Sequence, residues 1–262
     1  MSWLKSKTKT RSGKNSRSPE TVLYLYGISK EAGEIPEVEG VDAKAQVQAI
    51  ASASLISWVS LVSKSEFADN LVKNMESLDW LAAVSVRHQR VVSALSEKRA
   101  LLPARFGTVF LSESSLKQHI AERKASLQSD LKRIQEADEW GVKVFGELPQ
   151  KSVAAQTPHS GREYLSAKAA VLQARSANAA DGEIVGFVEA LKQLAQELSP
   201  GGAVSSGQRG LLWHGSILLR RTDRKKLERL LARFSREWED QRRIECTGPW
   251  PPYSFVTREA QA

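Results

Sequence analysis

The chain of 262 residues is 41% hydrophobic, so it can bury enough surface to fold without disulfide or metal staples, as one large domain or two ordinary ones. Its single cysteine, Cys246, excludes an internal disulfide, and its longest apolar-leaning run, residues 49–62, is too short and too rich in serine to span a membrane. The formal net charge of +8 suggests a polyanion partner, but residues 1–18 hold 6 of the 38 basic residues and no acidic one, and the other 32 nearly balance the 30 acidic residues.

The basic amino-terminal segment, residues 1–18, is also rich in serine, threonine and glycine. We predict a disordered tail, because such a composition buries too little apolar surface to order the chain. No continuous apolar segment follows its lysines, so it lacks the form of a secretory signal and we expect a soluble, cytosolic protein. The tail is either a solvated extension or a segment that contacts RNA, a membrane or an acidic partner by non-specific attraction.

The next forty residues predict a small, mainly antiparallel sheet. Residues 21–28, TVLYLYGI, are typical of a buried strand, and the Gly- and Pro-containing residues 31–40 indicate a loop. Residues 41–62 have room for two more strands. We expect their inward faces to comprise Val47, Ala49 and Ala51 in the first, and Ile56, Trp58 or Val59, and Leu61 in the second.

Three helices are predicted next. Ser63 and Glu66 fit a capping box, and Phe67, Leu71, Met75 and Leu78 follow at helical spacing. A second helix is expected over residues 78–98, with an apolar stripe of Trp80, Val84, His88, Val91 and Leu95. A third, long helix is expected to begin at Ser112, with a stripe of Leu116, Ile120, Leu127, Leu131 and Ile134.

The remaining residues predict a ferredoxin-like, split β-α-β arrangement. Strands are expected at 140–148, 211–222 and from 243, and a loop at 149–160. Helices are expected at 161–179, at 181–198 and after Asp223. The predicted fold class is therefore α+β in two domains: after the tail of residues 1–18, a mixed domain with a small antiparallel sheet (residues 19–137) and a ferredoxin-like domain (residues 138–262).

No catalytic motif is recognisable. The sequence lacks GxxxxGK[ST], GxGxxG, GxSxG and HExxH, and its four histidines match no zinc spacing. His88 lies on an apolar helix stripe, where a core histidine with one satisfied nitrogen is favoured over a general base. An enzyme built on His88 and a neighbouring carboxylate is the least favoured alternative.

Two segments are unusual enough to be candidate binding sites. In the first, residues 102–110, Arg105 is flanked by apolar residues. It either pairs internally with a carboxylate or a helix carboxyl end, which is favoured, or meets a partner. In the second, residues 247–256, three prolines stiffen the chain around Trp250 and Tyr253. That segment either closes the core of its own domain or forms a docking ridge, and aromatic anchors often carry interface energy.

With these motifs in view, the sequence resembles the gas vesicle protein F/L family. The marks are LYLYGI at 23–28, WLAAVSVRHQRVV at 80–92, LPARFGTVF at 102–110 and GPWPPYSF at 248–255. The chain departs from the family in its basic tail and at Gln89, where similar sequences often have an acidic residue. These departures leave open which paralogous role it has, F or L.

The resemblance implies a two-domain α+β protein without catalysis or cofactor. It also implies association with the major gas vesicle shell protein and other assembly proteins, at the vesicle and in the cytoplasm. On this basis we expect a chaperone-like helper or a minor shell component, with Trp250 and Tyr253 as partner-binding anchors and Arg105 and Phe106 in support. The alternative is a basic regulatory protein that contacts RNA or a membrane from a ferredoxin-like scaffold, although the aromatic signature of a typical RNA-binding sheet is missing.

Overall fold

The computed structural model describes residues 20–35, 37–146, 182–201, 208 and 210–256. They form a mixed α+β structure with two antiparallel sheets, one on each side of residue 137 along the chain. The predicted tail, the predicted loop at 149–160 and the predicted helix at 161–179 lie outside the described residues.

The first sheet is built around a buried central strand. Strand β1, Thr21–Ser29, pairs antiparallel with β3, Leu55–Ser63, which in turn pairs with the edge strand β2, Gln48–Ser52. On its other side β1 pairs with two short strands, β4 at Leu101–Pro103 and β5 at Val109–Phe110. The β-branched and aromatic run that predicted β1 therefore forms the middle of the sheet, where both of its faces are covered.

Two of the three apolar helix stripes predicted for the first half are confirmed. Helix α2, Leu78–Lys98, begins at Ser77, whose side chain accepts from the Trp80 backbone, and it buries Val84, His88, Val91, Val92 and Leu95. Ser112 caps helix α3, Glu113–Glu122, and α4 follows at Lys124–Arg133. The five predicted stripe residues of this pair are buried.

Several predictions for the first half were wrong in detail. The helix expected after Ser63 is a π-helical turn, Ser65–Asp69, followed by the short α1, Leu71–Met75. The single helix expected from Ser112 breaks at Arg123. In the first sheet, Ala49, Ala51 and Leu61 are exposed, because β2 is an edge strand that turns Ile50 inward and β3 presents Leu61 on its outer face.

The second sheet contains four antiparallel strands in the order β7-β8-β6-β9. Their bounds are β6 at Ala137–Gly146, β7 at Glu197–Pro200, β8 at Leu211–Arg220 and β9 at Arg242–Trp250. Pro249 lies on β9, at the edge of the sheet, where a missing backbone donor costs no ladder hydrogen bond.

Two helices cover one face of this sheet. Helix α5 is Gly182–Leu194 and helix α6 is Arg224–Trp238. The helix predicted over 181–198 was too long at its carboxyl end, because residues 197–200 extend as the edge strand β7 beside β8. Asp223 precedes α6 as expected, but its carboxylate binds Lys226, at 2.6 Å, and Arg220 rather than the helix backbone.

The cores of the two halves are not separate. One buried cluster, which we call the joining core, contains Leu25 of β1 and Leu218 of β8 together with Phe255 and Val256 near the carboxyl end. A second cluster lies between the first sheet and α2, and a third lies under α5 and α6. Carboxyl-terminal residues therefore complete a core that begins with the first strand.

Candidate functional site

The four segments singled out in the sequence meet around His88. Tyr24 comes from LYLYGI, His88 from α2, Phe106 and Gly107 from LPARFGTVF, and Tyr253 from GPWPPYSF. These segments are far apart in sequence, so the fold itself brings them together.

Both nitrogens of His88 are hydrogen-bonded. Nδ1 lies 3.0 Å from the Tyr24 hydroxyl, and Nε2 lies 3.0 Å from the Tyr253 hydroxyl. The Tyr24 hydroxyl also accepts from the Gly107 backbone at 3.1 Å. Burial lowers the pKa of His88 to about 4, against a weaker opposing effect of the Ala104 backbone. The imidazole is thus a neutral bridge, with both nitrogens satisfied rather than the one expected.

An aromatic shell surrounds this bridge. The His88 ring packs at 5.7 Å from Tyr24 and at 5.9 Å from Phe106, and Phe106 packs at 6.3 Å from Trp80. Burial raises the pKa of the Tyr24 and Tyr253 hydroxyls far above their ordinary value. Near neutral pH the imidazole therefore stays unprotonated and the phenols stay protonated. These neutral groups are suited to structural hydrogen bonding.

Residues 251–256, which we call the carboxyl-terminal strap, are fastened at three further points. Ser254 donates from its backbone to Glu139 at 2.8 Å and from its hydroxyl at 2.6 Å. Arg133 donates to the Phe255 carbonyl, and also binds Glu197 at 2.7 Å and Asp130 at 2.9 Å. Phe255 and Val256 are buried in the joining core. The strap thus closes a core, but this core consists mostly of first-half residues and is not the core of the strap's own domain, as one of the two interpretations had it.

Trp250 is placed differently from Tyr253. It is 46% exposed at the end of β9, and its indole N–H donates to the Thr247 hydroxyl at 3.2 Å. It lines a groove of about 410 Å³ whose other walls include the end of α2, Arg221 and Pro251. The two predicted anchors therefore separate: Trp250 faces solvent from a stiff backbone, whereas Tyr253 faces inward.

The side chains of Arg105 and Phe106 also point in different directions. Phe106 is half-buried against His88, while the Arg105 side chain is exposed. No carboxylate pairs with Arg105 among the residues that the structure describes, so the favoured internal ion pair is not found there. Gly107, at φ +80°, allows the turn to reverse at this point.

The described residues also expose apolar side chains on the first half. Val72, Met75 and Leu78 are 78%, 41% and 80% exposed. Val72 and Met75 are three residues apart and so share a face of α1. Leu71 of the same helix lies 3.4 Å from where a Cβ on Gly107 would be, which places this apolar surface beside the LPARFGTVF turn.

Sequence reasoning missed the residues that hold the strap. Arg133 and Glu197 gave no motif. The adjacent carboxylates of Asp138 and Glu139 predict a solvated pair, which is wrong for Glu139, since it is only 7% exposed. Burial raises the pKa of the Cys246 thiol to about 11, which disfavours the reactive thiolate. Among the described residues, no cluster of His, Cys, Asp and Glu could hold a metal ion, and no helix is long and apolar enough to cross a membrane.

Comparison with known proteins gives consistent matches along the chain. The family model for gas vesicle synthesis protein GvpL/GvpF matches residues 22–257. Gas vesicle protein L of a Streptomyces species is 28% identical over 258 residues, covering 91% of this chain and 94% of that protein. Gas vesicle protein F1 of Halobacterium salinarum is 24% identical over 238 residues, covering 89% and 92%.

Solved structures show the same fold. The crystal structure of GvpF from Anabaena superposes with a TM-score of 0.66 at 19% identity, covering 90% of this chain and 96% of that one. GvpF from Microcystis aeruginosa gives 0.64 at 20% identity, covering 90% and 99%. The arrangement of two antiparallel sheets with helices is therefore shared with these proteins.

Proposed function

Because this chain belongs to the GvpL/GvpF family of gas vesicle synthesis proteins, and so has a role in gas vesicle formation, we propose that it binds the major shell subunit as a non-catalytic, chaperone-like helper. A vesicle wall that excludes water needs subunits with an apolar face, which would aggregate before assembly. A helper that covers that face at the vesicle and in the cytoplasm would keep the subunit available. Other gas vesicle assembly proteins are further partners in this proposal.

The observation that carries the proposal is the exposure of Trp250. An aromatic side chain that is 46% exposed on a proline-stiffened backbone loses little conformational entropy when a partner covers it. The flanking Pro251 and Pro252 are buried, so the backbone that presents the indole is anchored. Such rigid aromatic groups are typical energetic centres of protein interfaces.

The other three candidate residues contribute in different ways. We propose that Tyr253 acts through its bond to His88, which holds the strap behind Trp250 in place. Phe106 packs against Trp80 and His88 and supports the turn at Gly107, which lies next to Leu71 of α1. Arg105 is the accessible polar contact. Edge strands β2 and β7 offer unpaired backbone for strand addition by the subunit.

The test compares three variants in a strain that lacks this protein and any duplicate. We expect Trp250→Ala to weaken binding to the shell subunit about thirtyfold, as for a central aromatic anchor, and to reduce the number of vesicles. Tyr253→Phe keeps the ring and removes only the bond to His88, so it should loosen the strap behind Trp250 and weaken binding, but less than Trp250→Ala does. Val185→Ala, which truncates an apolar side chain 54% exposed on α5, is the matched control.

Binding is measured as the amount of shell subunit that co-purifies and stays in the supernatant, with circular dichroism to confirm folding. If Trp250→Ala binds as well as Val185→Ala does, Trp250 is not the anchor. If the purified protein binds no shell subunit under any condition, the chaperone-like role itself is wrong.

A minor shell component is the alternative within the same role. A helper should be found with the soluble subunit and disappear from intact vesicles after washing, whereas a shell component should stay with them. Quantitative immunoblotting of washed vesicles against the cell extract separates the two.

We also interpret the two halves as the predicted domains, residues 19–137 and 138–262. The β-α-β-β-α-β order and the antiparallel sheet of the second half support a ferredoxin-like domain. The joining core and the strap make these two domains interdependent.

A further inference from the structure

A pocket of about 540 Å³ lies between the LPARFGTVF turn, the open face of the second sheet and the strap. Helices α5 and α6 cover the opposite face of this sheet, so the pocket lies on the face that they leave open. The polar side chains that line it are Arg105, Lys143, His214, Ser199, Ser216 and Ser254. No carboxylate lines the pocket among the described residues.

Arg105 is held in position by a fixed turn. Its carbonyl accepts from the Thr108 backbone at 3.2 Å and from the Thr108 hydroxyl at 2.8 Å. On either side of the turn, the Ala104 backbone donates to Tyr26 and Thr108 accepts from Leu25, each at 2.9 Å. Because the backbone is tied to β1 at both ends, the guanidinium is presented from a rigid base.

The other walls of the pocket are also well defined. Gly201 lies directly on the His214 ring, because an added Cβ would come within 1.7 Å of Nδ1. Lys143 donates to the neutral Gln208 amide oxygen at 3.3 Å. Of the carboxylates near the pocket, Glu245 of β9 is the cross-strand neighbour of Lys143 but binds Arg243. Glu139 is buried behind Ser254, whose backbone and hydroxyl bind it. Arg105 and Lys143 thus lack any anionic partner among the described residues.

We propose that this pocket binds an acidic side chain of an extended protein segment, with Arg105 as the bidentate carboxylate ligand and Lys143 as the second cation. Arginine suits this role because its planar fork matches the two carboxylate oxygens. The hydroxyls of Ser199 and Ser216 add donors without charge. The proposal deepens the proposed function, on which it rests, by naming the chemistry that Arg105 recognises.

A protein segment fits the pocket better than a nucleic acid does. Recognition of single-stranded RNA or DNA usually requires aromatic rings on which bases stack. Among the described residues, two aromatic rings line the pocket: that of Tyr253, whose hydroxyl is bound to His88, and that of His214, against which Gly201 packs. By contrast, Ser199 and Pro200 belong to the edge strand β7, beside which an extended peptide can lie.

The test is a titration of the full chain with a fluorescein-labelled hexaglutamate peptide, followed by fluorescence anisotropy at fixed salt. We expect Arg105→Ala and Lys143→Ala each to weaken binding about tenfold, and Arg105→Lys to lose part of the affinity because it keeps the charge but not the fork. Lys225→Ala, on the far side of the sheet, is the charge-matched control. The basic tail is present in every variant, so its contribution cancels in the comparison.

Three outcomes would overturn the proposal. The first is an equal loss of affinity in Lys225→Ala and Arg105→Ala. It would indicate non-specific electrostatic attraction between the peptide and the basic protein. The second is tighter, Arg105-dependent binding of labelled oligouridylate, which would assign the pocket to nucleic acid. The third is displacement of the peptide by inorganic phosphate at equal concentration, which would indicate a small-anion site.

The Trp250→Ala variant separates this proposal from the proposed function. It should bind hexaglutamate as tightly as the natural protein, whether or not it retains the shell subunit. If hexaglutamate does not bind although the shell subunit does, the pocket proposal is wrong and the proposed function is unaffected.

Discussion

His88 is only 4% exposed, and both of its ring nitrogens have a hydrogen-bond partner. A neutral imidazole can donate with one nitrogen and accept with the other, so it links two hydroxyl groups without leaving a buried polar atom unsatisfied. Protonation would place a charge in an apolar shell. His88 therefore makes the stability of the fold depend on pH.

We predict that the free energy of unfolding rises with pH between about 4 and 6.5. The folded protein holds the pKa of His88 at about 4, below the ordinary value of 6.5, because of burial. Within this window the unfolded chain binds the extra proton, so lowering the pH stabilises the unfolded state. The loss on going from pH 6.5 to 4 should be on the order of 3 kcal/mol. Urea unfolding at several pH values measures it.

The variant His88→Gln should be less stable at neutral pH, but its stability should depend less on pH over the same range. An amide can still donate and accept, although it does not titrate. An unchanged pH slope in this variant would show that other groups cause the dependence.

At the scale of elements, the strap shows how short segments fasten a fold. Glu139 lies on β6 and is 7% exposed, and the two bonds from Ser254 satisfy its carboxylate. Arg133, at the end of α4, links the same strap to α4 and β7. Hydrogen bonds to a buried charge are stronger than neutral ones, so each link matters.

We predict that Glu139→Gln lowers the free energy of unfolding by about 2 kcal/mol. The substituted amide presents N–H groups where the carboxylate accepted, so one Ser254 donor loses its partner. Glu76→Gln, at an exposed position, should change stability by less than about 0.5 kcal/mol. Equal effects of the two substitutions in chemical denaturation would contradict a fastening role for Glu139.

Several elements could be predicted from local pattern. A strong apolar periodicity marks β1, α2, β8 and the α3–α4 stripe. Burial of these apolar side chains determines the secondary structure of each element. The helix expected beyond residue 194 became β7 because a free edge of β8 was available to pair with it, and no local pattern contains that information. The expected helix after Ser63 was similarly replaced by a π-helical turn and α1, which leave Met75 and Leu78 exposed.

The candidate site could be predicted only in part. Its four segments were recognisable, but the Tyr253–His88 contact joins residues 165 positions apart, and only the tertiary fold fixes it. Of the four predicted partner-binding residues, the structure exposes Trp250 and Arg105 and turns Tyr253 and Phe106 inward. The direction of an aromatic side chain in a proline-rich segment depends on what packs behind it.

At the scale of the whole molecule, the joining core makes the two sheets one cooperative structure. It combines side chains of β1, α3 and α4 with Leu218 of β8 and with Phe255 and Val256 of the strap. A protein with such a shared core should unfold in a single transition, because neither half keeps its buried surface without the other.

We predict that Phe255→Ala destabilises both sheets together, by about 3–5 kcal/mol for a buried phenylalanine. Hydrogen exchange of backbone amides in β1 and in β8 should accelerate in parallel. Leu111→Ala, which truncates an apolar side chain 60% exposed, is the control. Faster exchange confined to one sheet would show that the halves unfold independently.

The position of the strap also bears on biosynthesis. A nascent chain emerges from the ribosome amino end first, and early domains usually begin to fold while later ones are still being made. Here β1 is among the first segments to appear, yet Phe255 and Val256, which close the core beside it, are translated more than two hundred residues later. The first half therefore stays incompletely closed during synthesis, and the finished conformation is reached only after translation has passed the strap.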